Sequence, residues 1–215
     1  MALPPVYKVI ALAGRRGAGK TTLAQFALRN SKELFGNSFT VGITGFAFAM
    51  KEYLNTALGV PRDILYGPDE IKNRLTHLSW SDWPGGPPHH YGYMTGREVM
   101  EEWARIVLRL DPDAGVRPCL AHIAANPQTI WIIEDLRRQW EIEALHNVGG
   151  KVIRLSRRID DDKTTFTDSC FDNLTGWDAS IDNANMTLAD TQATFAKLLH
   201  RLLIMEPARH DKACS

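Results

Sequence analysis

The chain has 215 residues, 44% hydrophobic and 23% charged, which is a globular composition long enough for one good core and an inserted subdomain. Its 25 lysines and arginines balance 25 aspartates and glutamates, so duplex binding driven by global charge is not indicated, although a local basic patch is compatible with these numbers. Three widely spaced cysteines, Cys119, Cys170 and Cys214, fit no zinc pattern and suggest reduced thiols in a cytosolic protein, while the N-terminus has no signal-peptide core and no 18-residue apolar run exists.

The first element is the apolar run Val9 to Ala13, which reads as a buried strand. It leads into Gly14-Arg15-Arg16-Gly17-Ala18-Gly19-Lys20-Thr21, a full match to G-x-x-x-x-G-K-[ST], followed by Thr22 and a helix pattern with Leu23, Phe26 and Ala27 on one face. Strand, glycine-rich loop and helix together predict a phosphate-binding P-loop. Glycines let backbone N–H groups turn toward phosphate oxygens, and the helix N-terminus adds partial positive charge there. Lys20 is expected to reach the β- and γ-phosphates and Thr21 to offer its hydroxyl to Mg²⁺.

Phe39 to Thr44 reads as a second strand, and Phe46 to Leu58 as a helix stopped by Gly59. Short turns or helices follow at Pro61 to Leu65 and Asp69 to Leu75. Ser79 to Tyr93 carries an unbroken Pro/Gly run from Pro84 to Pro88 and reads as an aromatic-rich loop. Thr95-Gly96-Arg97-Glu98 is a capping box opening an amphipathic helix to about Arg109, with Val99, Trp103, Ile106, Val107 and Leu110 inward. Another helix is expected over Gly115 to Ala125. Thr129 to Ile133 is a buried strand ending in Glu134-Asp135, Arg138 to Asn147 a helix, and Lys151 to Leu155 the next strand. Ser156 to about Asn183 turns polar and suggests a lid. Thr187 caps a last helix with Phe195, Leu198, Leu199, Leu202 and Leu203 inward. The order predicts an α/β fold, a parallel sheet flanked by helices. The domain reading is one domain over 1–205, with a helical acceptor-binding insertion at about 46–127, a lid-like excursion at about 156–183, and a flexible tail at 206–215.

An apolar strand ending in acids is the Walker-B arrangement. In parallel sheets the ligand lies beyond the strands' carboxyl ends, so Asp135 or Glu134 is expected to meet the metal and phosphate held by the P-loop. Phosphoryl transfer needs cations around the equatorial oxygens. Arg137, Arg154, Arg157 and Arg158 are candidates, against the alternative of a solvated basic face. Arg74 and Arg97 flank the aromatic loop and suit bidentate binding of an acceptor phosphate, or surface salt bridges. Trp80, Trp83, Tyr91 and Tyr93 suit base stacking or core packing equally. His89-His90 are a weak metal signal, lacking any matching cluster.

These pieces resemble the deoxynucleoside monophosphate kinases of tailed phages, P-loop enzymes related to the adenylate and guanylate kinases. The resemblance rests on the P-loop; on Phe46-Ala47-Phe48-Ala49-Met50-Lys51-Glu52, similar to that family's F-A-D-P-[LM]-K; and on Leu65-Tyr66-Gly67 with Asp69, Lys72 and Arg74. Met94 to Glu98 matches as well, as does Asp135-Leu136-Arg137 with Glu141, similar to D-x-R-x-x-x-E. The remaining pieces are Gly149 to Leu155 and Ile181-Asp182-Asn183. It implies a P-loop NTPase three-layer fold and transfer of the ATP γ-phosphate to a deoxynucleoside monophosphate with Mg²⁺, in the cytoplasm of an infected host cell. The binding loop would be Gly14, Gly17, Ala18, Gly19, Lys20, Thr21 and Thr22. Lys20, Asp135, Arg137 and Arg157 would be catalytic, and Thr21 and Asp135 would hold metal. The acceptor-binding candidates are Phe46, Lys51, Arg74, Trp80 and Arg97, of which the resemblance carries Arg74 and Arg97, and a homodimer is a candidate assembly. Phe48 stands where that motif has its acid, Ala49 replaces its proline, and Asp168 to Asp172 replaces its usual H-x-S-E. Phosphorylation of 5-hydroxymethyl pyrimidines in DNA is therefore the alternative activity, and a non-catalytic NTP switch the third.

Overall fold

The computed structural model describes residues 8–83, 91–157 and 173–205. Pro84 to Pro88, His89-His90, Arg158, the Asp168 to Asp172 segment, Cys170, Cys214 and the 206–215 tail lie outside the described residues.

Strand β1 (Val9–Ala13) is buried at every position and pairs in parallel with β5 (Thr129–Ile133) on one side and β6 (Lys151–Ser156) on the other. A central strand covered on both faces has no polar side, which is why its sequence is a continuous apolar run rather than an alternation. Strand β2 (Thr40–Thr44) adds outside β5 and β7 (Ala179–Asp182) outside β6, giving the order β2-β5-β1-β6-β7, all parallel. The protein is α/β, with a five-stranded parallel sheet flanked by helices.

The two faces are distinct. Ile10, Leu12, Ile130, Ile132, Ile153 and Leu155 point to a core shared with α1 (Lys20–Arg29), α2 (Ser31–Phe35) and α9 (Leu188–His200), through Leu23, Ala27, Phe35, Phe195 and Leu199. Fully burying each of the larger of these side chains contributes about 1.5–3 kcal/mol. On the other face Val9 and Leu145 of α8 (Gln139–Asn147) close around Gly150, and His122 of α7 (Val116–Ala124) packs edge-on against Trp131 at 4.6 Å. From β1 the chain runs through α1 toward β2; from β5 it runs through α8 toward β6, on the other side of β1. Right-handed crossovers in opposite directions put their helices on opposite faces, opening a crevice at the carboxyl ends of β1 and β5.

The chain divides into two compact units, Met1–Phe46 with Leu120–Ser215, and Ala47–Cys119. The smaller contains α3 (Phe48–Leu58), α4 (Arg62–Tyr66), α5 (Asp69–Lys72), the antiparallel pair β3 (Leu75–Ser79) and β4 (Tyr93–Thr95), and α6 (Gly96–Leu110). Its core is Leu54, Val60, Ile64, Leu65, Trp80, Met94 and Val99. The expected capping box is present: Thr95 Oγ1 accepts from Glu98 N–H and the Glu98 carboxylate accepts from Thr95 N–H. Among the described residues no helix is long and apolar enough to cross a membrane.

Three sequence expectations change. Residues 75–79 and 93–95 form strands rather than loop or helix, because the inward residue of β3 is Thr76 and its neighbours Leu75 and His77 are exposed, inverting the usual pattern. Thr76 Oγ1 satisfies itself by donating to Met94 O at 2.9 Å. Within the polar 156–183 stretch lies β7, an edge strand whose single deeply buried residue is Ile181. Asp178 starts it by accepting from Val152 N at 2.8 Å, with Lys151 and His146 at 3.2 and 3.0 Å. Burial raises the Asp178 pKa, but His146 and Val152 hold it below the usual carboxylate range. Leu110, placed inward by periodicity, is 83% exposed at the end of α6.

Candidate active site at the carboxyl edge of the sheet

The glycine-rich loop leaves β1 at Gly14, where a Cβ would collide with the Leu155 carbonyl of β6. It enters α1 at Gly19, whose φ of 96° is a left-handed conformation that a side chain disfavours. Gly17 also has positive φ, Ala18 is buried, and Thr21 and Thr22 are exposed in the first turn of α1. Lys20 folds back over the loop: Nζ donates to Gly14 O at 2.6 Å and Arg15 O at 2.9 Å. The ammonium is thus held over the loop by two neutral carbonyls, which an anionic oxygen can replace with a stronger, charge-assisted bond.

The two acids after β5 separate. Asp135 accepts from the Phe46 N–H at 2.8 Å, and its carboxylate lies so close to Gly45 that no Cβ fits there. Asp135 also raises the Glu141 pKa by charge repulsion, which places it toward α8. The alternation of β5 carries Glu134 to the opposite face, the side of Ile130, Ile132 and α1. Glu134 Oε2 is buried and has no hydrogen-bond partner among the described residues. No cluster of three or more His, Cys, Asp or Glu side chains suited to a metal occurs among the described residues. A Mg²⁺ ion needs fewer, because it keeps waters and shares its shell with substrate phosphates. The hard oxygens of Glu134 and Thr21 fit that requirement.

Glu141, 4% exposed, shapes the turn that follows. Its Oε2 accepts from Arg137 N at 2.7 Å and Arg138 N at 2.9 Å, and Oε1 lies 3.5 Å from Arg138 Nη1. Burial pushes its pKa up to about 7 against the pull of those N–H groups. The Arg137 side chain is exposed above this fixed backbone, and Arg157 is exposed just past β6. Arg154 lies over the Trp177 ring at 5.7 Å.

Asn183 is a member of this edge to which sequence reading gave no role. Its Nδ2 donates to Ala18 O at 3.1 Å. The signal in the sequence was Ile181-Asp182-Asn183, one of the pieces of the family resemblance, which came with no role for the asparagine. Phe46 contributes its backbone N–H; its ring is buried.

The remaining acceptor candidates lie in the smaller unit. Trp80 is 8% exposed within its core, so the ring is packed rather than presented for stacking. Trp83 packs edge-on against Trp103, which stacks on Tyr53 at 4.7 Å, whereas Tyr91 and Tyr93 are exposed. Lys51 and Arg62 flank the Tyr66 ring at 4.7 and 5.1 Å. Burial and the bond to Glu52 raise the Tyr66 pKa, so its hydroxyl stays protonated. Arg74 is exposed, and Arg97 bonds Asp69 Oδ1 at 2.5 Å and Asn73 Oδ1 at 3.0 Å.

No protein-family model matches the chain, and no curated protein matches it. Among solved structures it is similar to the one described as "Crystal structure of APE1195", at 14% identity and a TM-score of 0.44, over 95% of this chain and 99% of that chain.

Proposed function

We propose that the chain is a P-loop kinase that transfers the γ-phosphate of ATP to a deoxynucleoside monophosphate. The observation that carries this reading is the loop Gly14 to Thr21, set between the central strand and α1, with Lys20 folded over it and acids at the end of the adjacent strand. The topological switch at β1 and β5 is where an open α/β sheet receives its ligand.

Lys20 would exchange the Gly14 and Arg15 carbonyls for β- and γ-phosphate oxygens, and the Gly17 to Lys20 N–H groups would surround them. When bound, Mg²⁺ neutralises charge on the phosphates. Thr21 and one acid would hold it. Asp135 was the expected acid, but it already serves the Phe46 N–H, so Glu134 with its open oxygen fits better. Arg137 and Arg157 would stabilise the equatorial oxygens, while Arg74, Arg97 and Lys51 would receive the acceptor in the smaller unit.

Transfer of labelled γ-phosphate from ATP tests the reading. Free deoxynucleoside monophosphates, their 5-hydroxymethyl pyrimidine forms, and duplex DNA with and without hydroxymethyl bases serve as acceptors. Label in a diphosphate supports the nucleotide kinase. Label in modified DNA alone moves the function to base phosphorylation, which the Phe48 side chain at the family's acid position favours. Label in none of them overturns both.

A further inference from the structure

Asn183 follows β7 directly, and its backbone N–H donates to Ser156 O at 2.9 Å, extending the β6–β7 ladder by one residue. That bond fixes the Cα of a short side chain beside the glycine-rich loop. The side chain is buried, 9% exposed, and Nδ2 lies 3.7 Å from the position a Cβ would take at Gly19. Nδ2 donates to Ala18 O at 3.1 Å. The amide can face only this way, because a carbonyl oxygen accepts and the Asn183 oxygen cannot donate to it. Its Oδ1 is buried with no partner among the described residues, so the side chain is retained there despite one unsatisfied atom. Burying such an atom is costly, and the Ala18 contact helps offset it.

The consequence lies on the far side of the same peptide. A peptide unit is planar and trans, so its C=O and N–H point in opposite directions. Holding the Ala18 carbonyl toward β7 turns the Gly19 N–H to the opposite side of the peptide. Gly19 has φ 96° and no Cβ to resist rotation of that peptide. We propose that Asn183 is a positioning residue for phosphate: it latches the Ala18–Gly19 peptide so that the Gly19 N–H stays aimed at the phosphates of a nucleoside triphosphate. The assignment rests on the phosphate-binding reading of the loop.

Calorimetry with ADP on the full chain tests it, using wild type, Lys20→Ala, Asn183→Asp and Asn183→Ala, with thermal unfolding in parallel. Asn183→Asp keeps the shape but sets an acceptor against an acceptor. It should weaken ADP about tenfold or more and raise KM for ATP while leaving the acceptor KM unchanged. Wild-type ADP affinity in Asn183→Asp, with Lys20→Ala impaired, overturns the latch and leaves the phosphate reading standing. ADP that binds wild type and Lys20→Ala alike, or neither, overturns both. A readout independent of any variant is the Gly19 amide proton of the wild-type protein, which should move downfield on ADP binding. An unmoved Gly19 resonance on a protein that binds ADP overturns the latch even if the Asn183 variants do not fold.

Discussion

The smaller unit and the carboxyl edge of the larger one differ in how their polar side chains are paired. In the smaller unit the charges satisfy each other: Arg97 with Asp69, Arg62 and Tyr66 with Glu52, Arg105 with Glu102, Arg117 with Asp111. At the carboxyl edge of the larger unit, Thr44 Oγ1, Glu134 Oε2 and Asn183 Oδ1 are buried without a hydrogen-bond partner among the described residues, whereas the described part of the smaller unit has one such atom, Trp83 Nε1. Paired charges on a surface contribute little individually, so they say little about chemistry. Buried polar atoms without partners are costly, and these three lie at the end of the sheet where the proposed function places its ligand.

The largest break in that comparison should come from Lys20→Ala. Removing the one lysine folded over the loop should lower kcat/KM by about 1,000-fold or more, some 4 kcal/mol of transition-state stabilisation, with unfolding nearly unchanged. A variant with near-normal turnover would remove the loop from the chemistry.

The two acids come next. Glu134→Gln should lower Mg²⁺-supported turnover about 100-fold and raise the Mg²⁺ concentration needed for tight nucleotide binding, the latter read by calorimetry without turnover. Asp135→Asn retains an oxygen for the Phe46 N–H and should cost less. The reverse order of effects would return the metal to Asp135.

Glu141 sharpens the comparison through pH. Its carboxyl has a folded pKa raised from the ordinary 4.5 to about 7. Between those values the folded state holds a proton that the unfolded state has released, so stability falls as pH rises from about 4.5 to 7. The total is roughly 3 kcal/mol. Glu141→Gln imitates the protonated form, whose Oε2 still receives both N–H groups, and should flatten this slope in chemical denaturation. An unchanged slope would mean that Glu141 does not carry it.

The larger unit was legible because its strands β1 and β5 are apolar on both faces, β6 carries the buried Val152, Ile153 and Leu155, and its loop is a complete motif. What was not legible has physical causes. β7 is an edge strand with a single deeply buried residue, held in register by the Asp178 carboxylate rather than by apolar pattern. β3 hides because its inward residue is a threonine. In the site, composition could not say which of two consecutive acids faces α1, because that depends on strand alternation. Nor could it say that Trp80 is core, since an indole serves packing and stacking equally.

Arg97 is the smallest and most specific test of the contrast. Its bonds to Asp69 and Asn73 make it look like a structural surface arginine, and such a pair, about one-third exposed at each partner, contributes at most about 1 kcal/mol. If it also receives an acceptor phosphate, Arg97→Ala should raise the acceptor KM about tenfold while the ATP KM stays within about twofold. Arg97→Lys should recover little of this, because a single ammonium cannot reproduce a bidentate fork. Equal changes in both Michaelis constants would leave Arg97 as part of the smaller unit's self-paired surface, and the difference between the two units would then be complete.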